Sequence, residues 1–170
     1  MNGQHRLHIG KGHEDAVADE LRLRGWIVHP WGQGLFDDGE VGAQVRAALV
    51  TCDPKTLWRW IPDLIAIKGH RIYLVDPKTD LRGDTPNFSL EADAFMAHSM
   101  MRCLGLPIVY VWQDFTCNAP DRLRPVGHFL EPQRGKVAGS GTPFMLVRKA
   151  DQIPFDRVFG RALDGANGHA

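Results

Sequence analysis

The sequence predicts an α/β fold, a sheet flanked by helices, on three observations. Residues 61–67 and 72–78 are two runs rich in β-branched and aromatic residues, joined by Lys68-Gly69-His70-Arg71. Glycine at the first central position of a two-residue link favours a type II′ turn, so the pair reads as a β-hairpin. An amphipathic helical pattern precedes the hairpin, and a second helical pattern followed by the apolar run Ile108 to Trp112 comes after it. The chain has 170 residues, which fits one domain, and 44% hydrophobic content is enough to bury a core. The core is expected over about residues 12–113, with residues 114–170 as a C-terminal extension.

The first helix is expected over about residues 13–24, stopped by Gly25. Glu14, Val17, Ala18 and Leu21 share one face by the i, i+3, i+4, i+7 rule, so Glu14 lies in line with the buried stripe, while Asp15, Asp19 and Glu20 lie elsewhere. Glu14 and Asp15 taken alone are first-turn acids that complement the helix dipole. Beside the hairpin acids, Glu14 becomes a candidate third site carboxylate. Residues 26–30 form a strand ended by Pro30, Trp31-Gly32-Gln33-Gly34 a turn, and residues 41–50 a short helix. Trp58, Arg59 and Trp60 have two readings. Aromatics interleaved with a basic residue stack on bases and contact phosphates, and tryptophans also anchor loops on a core.

The hairpin register carries the chemistry. Cross-strand partners have a constant index sum, so a turn centred on Gly69-His70 sets Lys68 opposite Arg71, Ile67 opposite Ile72, Ile65 opposite Leu74 and Asp63 opposite Asp76. Side chains alternate faces, so Lys78 shares the face of Asp76, while Pro77 points away and denies the strand an N–H. Two adjacent acids repel, and one must protonate, find a cation or bind a metal. Mg²⁺ suits such a pair, since it prefers oxygen ligands and is held by one or two carboxylates plus waters and a substrate phosphate. A lysine beside a metal-bound water orients or deprotonates the nucleophile and balances charge on the phosphoryl group.

Residues 79–88 read as a polar loop at the site mouth. Ser89 is expected to cap the next helix, which runs to about Leu104 before Gly105 and Pro107. Leu90, Ala94, Ala97, Met101 and Leu104 make its core stripe, and Glu91, Phe95, His98 and Arg102 a neighbouring row. His98 reads as a surface or half-buried histidine and Asp93 as a surface acid facing the helix dipole. Residues 108–112 form a strand, and residues 126–130 and 144–148 two further strands. The Gly-rich basic loop between these, residues 133–141 with Arg134 and Lys136, either lies along a phosphate backbone or merely connects the strands. Its glycine spacing does not fit a nucleotide-binding loop. Residues 153–159 read as a docked terminal segment and residues 165–170 as a fraying end.

Pro62-Asp63 followed by Asp76-Pro77-Lys78 resembles the PD-(D/E)xK nuclease superfamily. That resemblance implies a restriction-endonuclease-like α-β-β-β-α-β core with a mixed central sheet. It implies that Asp63 and Asp76 bind Mg²⁺, with Mn²⁺ able to substitute, that Lys78 assists the water, and that the Pro77 carbonyl reaches the metal. The segment Gly12-His13-Glu14-Asp15-Ala16-Val17, with Leu21 and Gly25-Trp26, is similar to the opening of phage endonuclease I and archaeal Holliday-junction resolvases, which place a glutamate where Glu14 stands. By position in those relatives, Glu91 is a candidate support for the metal site. The implied function is metal-dependent cleavage of DNA, branched or duplex, by a homodimer. A restriction, repair or exonucleolytic nuclease and a non-catalytic DNA-binding scaffold are the alternatives.

Composition narrows the setting. Lys and Arg balance Asp and Glu, which argues against indiscriminate coating of nucleic acid. Cys52, Cys103 and Cys117 are odd in number and widely spaced, so reduced thiols and no zinc site are expected. No apolar run is long enough for a membrane span, and residues 1–6 open no apolar signal segment. The expectation is a soluble protein with no membrane partner, in the cytoplasm of a bacterial or phage-infected cell.

Overall fold

The hairpin forms in the expected register. In the computed structural model, which describes residues 3–32, 39–51, 57–79, 85–130 and 143–162, strands β2 (Leu64–Lys68) and β3 (Arg71–Lys78) pair antiparallel from Lys68 opposite Arg71 to Leu64 opposite Val75. Gly69 takes φ 58°, a conformation that costs a residue without Cβ nothing. Because β2 begins at Leu64, Asp63 sits one step beyond the ladder's end.

Strand β1 (Ile27–Pro30) joins β2 antiparallel, and β5 (Ile108–Trp112) joins β3 in parallel. With β6 (Thr116–Asn118) and β9 (Ile153–Pro154) they complete a six-stranded mixed sheet in the order β1-β2-β3-β5-β6-β9. Helix α1 (Gly3–Leu23) precedes β1, and α3 (Ala92–Cys103) connects β3 to β5, so the α-β-β-β-α-β order is present. Two elements are inserted in it, α2 (Glu40–Thr51) and strand β4 (Asn87–Glu91). Strand β4 pairs with β8 (Pro143–Arg148), and β8 with β7 (Pro125–Leu130), as a separate three-stranded sheet. The extra C-terminal strands are thus divided, β6 and β9 widening the first sheet and β7 and β8 building the second.

Three expectations need correction. Helix α1 starts at Gly3 and not near residue 13, running through Gly10 and Gly12 before Gly25 turns the chain at φ 76°. Ser89 caps nothing: it lies with Leu90 inside β4, and α3 starts at Ala92 with Glu91 at its N-cap and no side-chain cap. Phe88 and Leu90 are buried at strand spacing against β8, a partner far along the chain. Leu104 falls past the last helical turn and is 73% exposed, outside the core stripe.

Side-chain alternation divides the first sheet into two faces. On one, Leu64, Ala66, Val75, Val109 and Val111 meet Val17, Ala18 and Leu21 of α1 and Phe155 and Phe159 of helix α4 (Phe155–Phe159). On the other, Tyr110 and Trp112 meet Phe88, Leu90 and Val147 of the second sheet, and Leu74 and Ile108 meet Met101 of α3. The Phe88 and Trp112 rings stack with centroids 4.3 Å apart. Because Val75 faces α1, Leu74, Asp76 and Lys78 face the α3 side.

The segment after α1 is latched to the C-terminal part of the described chain. Arg24, at the foot of α1, donates from Nη2 to Asp156 Oδ1 at 2.6 Å and from Nε to the Gly160 carbonyl at 2.7 Å, and it pairs with Glu20. Burial opposes its charge, but Asp156 and Glu20 outweigh that, and the guanidinium is held charged above its usual value. Trp26 Nε1 donates to the Phe159 carbonyl at 2.8 Å. Arg24→Ala is expected to cost about 2 kcal/mol by leaving these acceptors unpaired, lowering Tm by about 4–8 °C in thermal melts. Asp156→Ala should cost less, because that carboxylate is half exposed.

Candidate active site

Asp63, Asp76 and Lys78 meet in a cleft of about 180 Å³ that His98, Arg59, Trp60 and Ile61 also line. The hairpin register, continued one step past Leu64, puts the two acids side by side, with their carboxyls within hydrogen-bonding reach. Asp76 is 3% exposed, the strand's alternation having turned it beneath α3. Lys78 Nζ donates to Asp76 Oδ2 at 2.8 Å.

Backbone contacts fix Asp63. The Trp31 N–H donates to the Asp63 carbonyl at 2.6 Å. Gly32, at φ 57°, is seated on the chain just before Asp63, where a Cβ would come within 2.8 Å of the Ile61 carbonyl oxygen and 2.9 Å of the Pro62 carbonyl oxygen. Gly32→Ala therefore combines left-handed strain with a backbone clash. A loss of about 2–3 kcal/mol is expected in denaturant unfolding.

The charges are strongly coupled. Burial, then the neighbouring Asp76, push the Asp63 carboxyl up to about 7, with Glu14 adding to the rise and Lys78 opposing it. Below about pH 7, with no cation present, Asp63 holds a proton, as expected of two carboxylates forced together. Burial opposes the Lys78 charge, but Asp76 and Asp63 outweigh it, and Glu91 adds to their pull, so the ammonium is held above its usual value.

His98 was not anticipated here. It is 2% exposed, with Nδ1 2.8 Å from the Tyr110 hydroxyl and 3.3 Å from Asp76 Oδ2, and Nε2 on the Trp60 carbonyl. A carbonyl only accepts, so the ring proton sits on Nε2 and Nδ1 accepts from the Tyr110 hydroxyl. Burial holds His98 below its ordinary value, against the pull of Asp76, and burial keeps Tyr110 protonated. Only part of this is legible in the chain. Tyr110 stands opposite Asp76 in the parallel β3–β5 register, and His98 belongs to the row that starts with Glu91.

The remaining candidates are spread around this centre. Glu14 lies on α1, which covers the opposite face of the sheet, and its carboxylate is 3.2 Å from Lys11 Nζ. It reaches Asp63 through its field, and among the described residues no three His, Cys, Asp or Glu side chains gather as a metal-binding group. Pro77 stands between Asp76 and Lys78 on β3, beside Val111 of β5. Arg59 and Trp60 line the cleft from a single 3-10 turn, residues Leu57–Trp60, with the guanidinium 5.2 Å from the Trp60 ring centroid. Trp58, on the same turn, is 69% exposed and lines an apolar hollow of about 350 Å³ with Trp31, Ile61, Leu104 and Leu106. Arg134 and Lys136 lie outside the described residues.

Neither a family model nor a curated protein matches the chain. Among solved structures it is similar to Hjc of Archaeoglobus fulgidus, a Holliday junction resolvase from an archaeal hyperthermophile, at 13% identity and a TM-score of 0.49, over 91% of this chain and 98% of that one. The cleft, and not that likeness, carries the functional reading.

Proposed function

We propose that this chain is a metal-dependent nuclease that hydrolyses phosphodiester bonds in DNA. One observation carries the reading: Asp63 and Asp76 line one cleft together, with Lys78 2.8 Å from Asp76. The donor set fits Mg²⁺, with Mn²⁺ able to substitute. Two carboxylates that ionise together only at a cost favour a divalent cation, and a cage of further protein ligands is not required of an ion that keeps its waters. Asp63 and Asp76 would hold the ion, with the Pro77 carbonyl beside them and Glu14 acting through water. When bound, the ion would supply Lewis-acid activation of water and neutralise phosphoryl charge.

Lys78, held charged, serves as a donor and a fixed positive charge toward the phosphate and not as a base. Arg59, lining the same cleft, matches a phosphate flanking the scissile bond. Within this class we favour a homodimer acting on branched DNA. The similarity of the Glu14 segment to resolvase first helices supports that choice.

The test incubates pure protein with a labelled four-way junction, linear duplex and single strand, with Mg²⁺ or chelator. Preferential, metal-dependent cutting of the junction is expected. Equal cutting of linear duplex and junction would remove the branched-substrate assignment, and no cutting of any DNA would remove the nuclease. Sedimentation as a monomer at working concentration would exclude the homodimer.

A further inference from the structure

His98 occupies a position that the proposed chemistry does not require. Its imidazole lies in α3, yet each of its nitrogens touches a different part of the cleft. Nδ1, which accepts from the Tyr110 hydroxyl, packs 3.3 Å from Asp76 Oδ2 on β3 with no hydrogen bond between them, and Nε2 donates to the carbonyl of Trp60 at the end of the 3-10 turn. Tyr110 fixes the ring from the floor, its hydroxyl 2.8 Å from Nδ1. The ring is 2% exposed and has no room to tilt without moving one of these partners. The 3-10 turn carries Arg59, which lines the same cleft as the carboxylates.

We propose that His98 is a positioning residue that couples the placement of Asp76 to the placement of the Leu57–Trp60 turn. What occupies the carboxylate pair and where Arg59 stands are thereby set together. This deepens the nuclease reading and rests on it for its use, since a cleft that organises its phosphate-binding side when its carboxylates are engaged suits a polyanionic substrate. The coupling itself is measurable without DNA.

The experiment is a double-mutant cycle read by amide hydrogen exchange at residues 58–61, in Asp76→Asn, His98→Leu and the double variant. With His98 present, Asp76→Asn is expected to change exchange of the turn by about threefold or more. In the His98→Leu background it should change nothing further. A merely structural histidine predicts independent, additive effects, and that result would overturn the proposal. His98→Gln is the second variant, should His98→Leu not fold. A glutamine amide that keeps the donation to the Trp60 carbonyl preserves protection of the turn but removes its response to Asp76→Asn. If the turn still responds, the proposal fails. Addition of Mg²⁺ alone should slow exchange of the turn in the wild type and not in His98→Leu. A non-additive cycle in a protein that neither binds Mg²⁺ nor cuts DNA would keep the coupling and discard the nuclease, whereas metal-dependent cutting with an additive cycle would do the reverse.

Discussion

Asp63→Asn is expected to raise the melting temperature of the metal-free protein at pH 8 and to leave it nearly unchanged at pH 4. The folded carboxyl titrates near 7 and the unfolded one near 3.8. Below 3.8 both states hold the proton, and Asp63 contributes nothing to the pH dependence. Between 3.8 and 7 the unfolded chain releases its proton while the folded chain keeps it, so stability falls as pH rises. Above 7 the whole penalty is present, on the order of 4 kcal/mol, and each kcal/mol moves Tm of a chain this size by about 2–4 °C. Asparagine removes the charge and with it the penalty. Mg²⁺ should raise Tm of the wild type at pH 8 and should not raise that of Asp63→Asn. If Asp63→Asn instead lowers Tm at pH 8, the acids and Lys78 form a structural ion-pair network and not a metal site.

Asp76→Asn should lower Mg²⁺-dependent DNA cleavage by at least about 10³-fold, because loss of a metal ligand removes several kcal/mol of transition-state stabilisation. Asp76 is the more demanding of the two acids, since it also holds Lys78. The same change frees the Lys78 ammonium from its nearest carboxylate, so junction binding in gel shifts should persist while cleavage disappears. Loss of binding and cleavage in parallel, with an unaltered melting curve, would assign Asp76 to DNA contact and not to chemistry.

Local patterns in the chain specify the hairpin and its acids most clearly. Gly69 sets the turn, the β-branched arms set the strands, and period two then dictates that Asp76 and Lys78 share a face with Asp63 at the end. The strand at 108–112 is equally plain, because the short run IVYVW is β-branched and aromatic and follows Gly105 and Pro107. Strand β4 was obscured by its own sequence. Ser89 followed by Leu90 and Glu91 matches a helix start, and only pairing with β8, more than fifty positions away, makes it a strand. The role of His98 was hidden for a related reason. Its helix row says which residues sit beside it, but its burial comes from Tyr110 and Trp60 in other elements. Gly10 and Gly12 likewise disguised the early start of α1, since helix propensity alone disfavours them.

The Arg24 latch has a consequence for the order in which the protein can be made. The sheet face under α1 is filled by Phe155 and Phe159 from the far end of the described chain, and Trp26 gives its indole proton to the Phe159 carbonyl. A nascent chain emerging from a ribosome can assemble its first helix and the Asp63–Lys78 hairpin early. It cannot close the apolar layer beneath them until α4 has been synthesised. The carboxylate pair is therefore born on an unfinished scaffold, whose apolar layer closes only once residues 155–159 have been made.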